Sequence, residues 1–95
     1  MLIAIHSVDK PGMDETRNRF RPERLAYLER YAARLVTAGP LLDDGGRQIG
    51  SFALVDFPDM DAAMAFHEED PFVREGVYSD SRVHRYDAKL GKDLA

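Results

Sequence analysis

The chain has no cysteine among its 95 residues, which excludes disulfide bonds, thiolate metal sites and a cysteine nucleophile. It also lacks a basic block. Thirteen Lys and Arg stand against 17 Asp and Glu, a formal charge of -4, with the cations interleaved among the acids. A general nucleic-acid binder carries a legible basic stripe, so no nucleic-acid partner is expected. No stretch approaches the roughly 20 apolar residues of a membrane span, so no membrane partner is expected either. Met1-Leu2-Ile3-Ala4-Ile5-His6 is apolar for only a few residues and has no basic leader. A signal peptide is therefore not expected, and a cytoplasmic location is.

What is present is the balance of a folding chain: 44% hydrophobic and 32% charged residues. That length supports one modest core, so residues 1–95 read as a single domain. Leu2 to Val8 is a short apolar run stopped at Pro11-Gly12, the mark of a buried, central first strand. Pro22 suits the first turn of a helix, where its missing N–H costs nothing. From there Leu25, Leu28, Ala32 and Leu35 recur at helical spacing in a stripe roughly 80° wide, which predicts a helix to about Leu35 facing a sheet.

Val36 to Leu42, broken by Gly39-Pro40, reads as an edge or bulged strand. Asp43-Asp44-Gly45-Gly46 then supplies a hairpin turn. Gln48 to Phe57 follows as a strand apolar on both faces. Asp59 and Asp70, the latter before Pro71, are helix N-caps in waiting, and Gly76 can close the short turn that Asp70 opens. The second helix packs through Met60, Ala63, Met64 and His67. A last strand is expected over Ser81–Asp87, and the tail from Ala88 to Ala95 carries no decisive signal. The order β-α-β-β-α-β defines an α+β, ferredoxin-like fold with an antiparallel sheet. Helices cover one sheet face only. The apolar residues left on the other predict a sheet-to-sheet homodimer.

Four fragments, in this order, resemble the YCII-related family: Asp9-Lys10-Pro11-Gly12, Arg21-Pro22, Thr37-Ala38-Gly39-Pro40-Leu41, and Asp70-Pro71-Phe72 with Gly76-Val77-Tyr78. Together they span nearly the whole chain. The resemblance implies a dimeric α+β barrel with pockets at or near the dimer interface. It also implies a catalytic pair made of a histidine at the start of the first helix and an aspartate before the Asp-Pro helix. Asp70 matches the aspartate. Arg24 stands where the histidine is expected, and an arginine stays protonated, so it cannot act as an ordinary general base.

The candidate site residues follow. On the helical wheel Arg24 lies within about 20° of Leu35, at the border of the stripe, where it either anchors a ligand oxyanion or pairs with Asp70. Asp70 is either a proton-exchanging carboxylate or simply a helix cap. His6, inside the first strand, is the replacement general base or a histidine of the core or interface. Ser51, at the start of the third strand, is expected near a pocket rim, and no nucleophile-elbow pattern surrounds it. Tyr78 either lines a pocket or simply packs. His67 and His84 lack metal-ligand spacing, and the glycine pairs lack the spacing and lysine of a phosphate loop, so neither a metal nor a cofactor is expected. The composite expectation is a pocket for a small anionic or aromatic metabolite. It serves either a cofactor-free lyase, isomerase or dehalogenating reaction or a noncatalytic binding module.

Overall fold

The computed structural model describes residues 1–91; the end of the tail, 92–95, lies outside them. The order is β1 (Leu2–Asp9), α1 (Asp14–Arg30), a 3-10 turn over Ala32–Arg34, β2 (Leu35–Leu42), β3 (Gln48–Asp56), α2 (Met60–Glu68), α3 (Pro71–Arg74) and β4 (Tyr78–Arg85). The four strands form one sheet in the order β2-β3-β1-β4, every pair antiparallel. This is the ferredoxin-like arrangement, with the apolar β1 central and the Gly39-Pro40 strand at an edge. The β2–β3 ladder shifts register at both ends of β2, as a strand carrying that dipeptide should.

The first helix departs from expectation at both ends. It begins at Asp14, eight residues before Pro22, so that proline sits inside it. Asp14 and Glu15 favour the start by standing in the first turn, where the helix dipole is positive. Arg17 N–H makes an early helical bond, to Met13 O at 2.8 Å. The helix then stops at Arg30, because Leu35 is drawn into the sheet opposite Val55. Leu25, expected to be buried, is 54% exposed. The inward face is set instead by Arg17 and Tyr27, with Leu28 and Tyr31 partly buried against the core.

The core lies between the helices and one sheet face, where Ile3, Ile5, Ala53 and Val55 meet Tyr27, Phe57, Ala63 and Phe66. Its centre is aromatic: Phe66 has ring centroids of Tyr31, Phe57 and Tyr27 at 4.8, 5.4 and 5.6 Å. Both expected caps are made. Asp59 accepts from Ala62 N–H and Asp70 from Phe72 N–H, and Gly76, at φ 71°, closes α3. β4 starts and ends earlier than expected, at Tyr78 and Arg85, while Val83 still faces the core. His6, cross-strand from Phe52 and Arg82, alternates with the inward Ile5 and Ser7 and so points to the open face.

Candidate functional site

Three arginines, Arg17, Arg21 and Arg24, recur at i, i+4 and i+7 of α1 and so share a stripe about 60° wide. They lean over the end of the sheet away from the aromatic core. Arg17 is the most deeply held, only 3% exposed. Its Nε donates to Asp9 Oδ2 at 2.6 Å, its Nη1 to Gln48 Oε1 at 3.0 Å, and its Nη2 to Gly50 O and Ser51 Oγ, both at 2.8 Å. Gly50 has no substitute there: a Cβ would collide with the backbone carbonyl of Ser7, its neighbour on β1.

Arg24 takes the second position. Its Nη2 pairs with Asp70 Oδ2 at 3.3 Å and its Nη1 donates to Ser51 Oγ at 3.4 Å. Its Nε is buried with no hydrogen-bond partner. Both guanidiniums lie within cation–π distance of the Phe72 ring, 4.9 Å from its centroid for Arg17 and 4.6 Å for Arg24. Asp70 has both oxygens engaged, since Oδ1 accepts Phe72 N–H at 2.9 Å while Oδ2 meets Arg24. The ion pair and the helix cap considered for Asp70 are thus one arrangement: the cap fixes the carboxylate that fixes the arginine.

Ser51 is buried behind these groups, with its Oγ 2.9 Å from the Tyr78 hydroxyl and within reach of both arginines. A serine so placed orients guanidiniums; its partners include no base that would make it a nucleophile. Burial raises the Tyr78 hydroxyl above its ordinary pKa, against the lowering effect of Arg24 and of its bond to Ser51. It therefore stays a neutral phenol at pH 7.

The structure brings Arg24, Asp70, Ser51 and Tyr78 together and leaves His6 on the opposite sheet face, with its cross-strand neighbour Arg82. His84, paired with Ala4, shares that open face. Only His67 lies on the helix side, buried on α2, and burial lowers its pKa from 6.5 despite the opposing pull of Asp70.

Beside the cluster, between α1 and β2, a cavity of about 320 Å³ opens. Its cationic wall is Arg17, Arg21 and Arg24, and Phe72 forms its inner end. Leu25 and Leu28 line one side and Ala38, Gly39 and Pro40 the other, with Gln48 the remaining polar group and no carboxylate among the lining residues. This explains the exposed Leu25: it faces the cavity. Among the described residues there is no cluster of three His, Asp or Glu side chains able to hold a metal. The arrangement can hold a planar anion and stabilise developing negative charge, as preorganised donors do.

Arg17, Asp9, Gln48 and Phe72 were not singled out as site residues from the sequence. The available signal was the i, i+4, i+7 spacing of the arginines. It was masked by reading Pro22 as the helix start, which left Arg17 in a loop.

Fold and site together define a small ferredoxin-like α+β protein with an arginine-walled pocket. The YCII-related domain matches residues 1–87, and the chain belongs to that family. Protein YciI of Escherichia coli is 37% identical over 91 residues, covering 87% of this chain and 93% of that protein. A protein of Haemophilus influenzae is 35% identical over 88 residues, covering 84% and 90%. Among solved structures, 5-chloro-2-hydroxyhydroquinone dehydrochlorinase (TftG) of Burkholderia phenoliruptrix, in complex with 2,5-dihydroxybenzoquinone, superposes with a TM-score of 0.87 at 31% identity, covering 94% of this chain and 96% of that one. A NIPSNAP domain protein of Burkholderia xenovorans, 19% identical with a TM-score of 0.54, shares the fold.

Proposed function

We propose that this chain binds a small, singly charged aromatic or enolic metabolite in the cavity between α1 and β2, as a single-domain YCII-related protein. The observation that carries this reading is the composition of the cavity: three arginines, an aromatic end wall, apolar sides and no carboxylate. Its volume suits one ring rather than a nucleotide or peptide, standing at the small end of the roughly 300–1,000 Å³ usual for ligand sites.

In a cofactor-free elimination or isomerisation, Arg24 would stabilise the oxyanion as it develops, and the cap at Asp70 would keep that guanidinium in place. The dehydrochlorinase relative supports this chemistry for a ring substrate. Arg24 in the histidine's position removes the expected base, and this favours the second reading, a binding protein without turnover. Both readings need the pocket. The open sheet face, with Ala4, Val8 and Phe52, supports the homodimer as part of the same proposal, tested by light scattering of the purified protein.

The first experiment is calorimetric titration with 2,5-dihydroxybenzoquinone and a panel of hydroxybenzoates, on the wild type and Arg24→Ala. Binding lost or weakened at least tenfold in the variant is expected. Equal affinity in both proteins would remove Arg24 from the site. Chloride release from a chlorinated hydroquinone, followed in parallel, separates an enzyme from a binding protein.

A further inference from the structure

The charges around the cavity do not balance locally. Arg17 is matched by Asp9 at 2.6 Å and Arg24 by Asp70 at 3.3 Å. Among the described residues Arg21 has no such counter-ion. Its only hydrogen bond among the described residues is to the neutral Gln48 Oε1 at 3.3 Å, and that oxygen already accepts Arg17 Nη1 at 3.0 Å. A guanidinium has five N–H donors, so most of those on Arg21 remain for a ligand. The Nε of Arg24 is also without an acceptor, and its burial in that state is costly, so the second arginine too is incompletely satisfied. The cavity thus carries one uncompensated positive charge, next to an apolar wall that lowers the local dielectric response.

An acidic hydroxyl entering this cavity meets no base on the lining residues, yet meets a field that favours its anion. We propose that the site binds a ring hydroxyl in its ionised form, with Arg21 as the charge-selecting residue. Deprotonation then accompanies binding and needs no protein base. The O–H bond breaks, the proton leaves to solvent, and the electron pair stays on the oxygen facing Arg21. This deepens the binding role proposed above and rests on it. It also gives Arg24 a consistent place in the histidine's position, because a site that takes its ligand as an anion gains from a second permanent cation.

The test uses 4-nitrophenol, whose phenolate is coloured, and 4-nitroanisole, which has the same ring and no ionisable proton. Spectrophotometric pH titration of protein-bound nitrophenol should place its midpoint about 1–3 units below that of the free compound, the range an adjacent opposite charge produces. Arg21→Gln should return the midpoint toward the free value, and Arg21→Lys should keep the depression. Arg21 is exposed, so the depression should also shrink as salt is raised. Binding of both rings with an unmoved midpoint would overturn this inference and leave the pocket standing. A full depression retained in Arg21→Gln would overturn the assignment to Arg21. Binding of neither ring would overturn the pocket and this inference together.

Discussion

One face of α1 changes character halfway along its length. Toward its C-terminal end Tyr27, Leu28 and Tyr31 pack with Phe57 and Phe66, rings within 4.8–6.1 Å of one another. Toward its N-terminal end Arg17 and Arg24 are tied to Asp9, Ser51 and Asp70. Both ends are buried, but they are buried at different cost. Aromatic surface gains free energy on leaving water, whereas a buried ion pair roughly recovers what its desolvation took and is often no better than an apolar pair of similar volume. The aromatic end therefore carries the stability. The charged end, nearly neutral in that account, holds geometry rather than stability.

That contrast is broken most directly at Phe66. Phe66→Ala should lose about 3–5 kcal/mol in urea denaturation, as expected for emptying a buried aromatic site. The remaining folded protein should bind its ring ligand with unchanged affinity. A loss below about 1 kcal/mol would place the stability elsewhere.

At the other end Asp9→Ala strands Arg17, whose side chain is 4% exposed. Its cost should also be several kcal/mol, up to about 3–5, because an unpaired buried charge remains. The sharpening experiment is the double variant Asp9→Leu/Arg17→Met, which should recover most of that stability while weakening binding of the proposed ring ligand. Failure of the double variant to recover would mean that the pair itself contributes net stability, and the contrast between the two ends would fall.

Legibility in the sequence followed the same division. Strands β1 and β3, the hairpin between β2 and β3, and both aspartate caps were readable because each rests on local chemistry: an apolar run, a glycine pair, or an oxygen three residues or fewer from its N–H. The pairing of Arg24 with Asp70 was readable too, since Asp-Pro fixes one partner and the helical wheel aims the other. The extent of α1 was not. A proline inside a helix removes one backbone bond, and nothing near Pro22 in the chain announces that contacts to β1 and β3, through Arg17, hold the preceding turns in place. His6 was misplaced relative to the cluster for a plainer reason. Alternation along β1 separates two faces, but it does not say which face receives the helices.

His67 joins the two ends and is the most delicate test of their balance. It lies on α2 next to Phe66 and three residues before Asp70, so the apolar end and the charged end act on it in opposite senses. Burial lowers its pKa from 6.5 and is the largest influence; Asp70 and Glu68 raise it, and Arg24 lowers it further. With the folded value depressed, the unfolded chain takes the proton first as pH falls. The contribution of His67 to stability is therefore fully present above about pH 6.5 and declines below it, until the folded-state pKa is reached. Urea denaturation between about pH 7.5 and 5.5 should show stability falling with pH, and His67→Gln should flatten that slope. A wild-type stability that rises as pH falls through this window would mean that Asp70, rather than the apolar surroundings, governs the histidine.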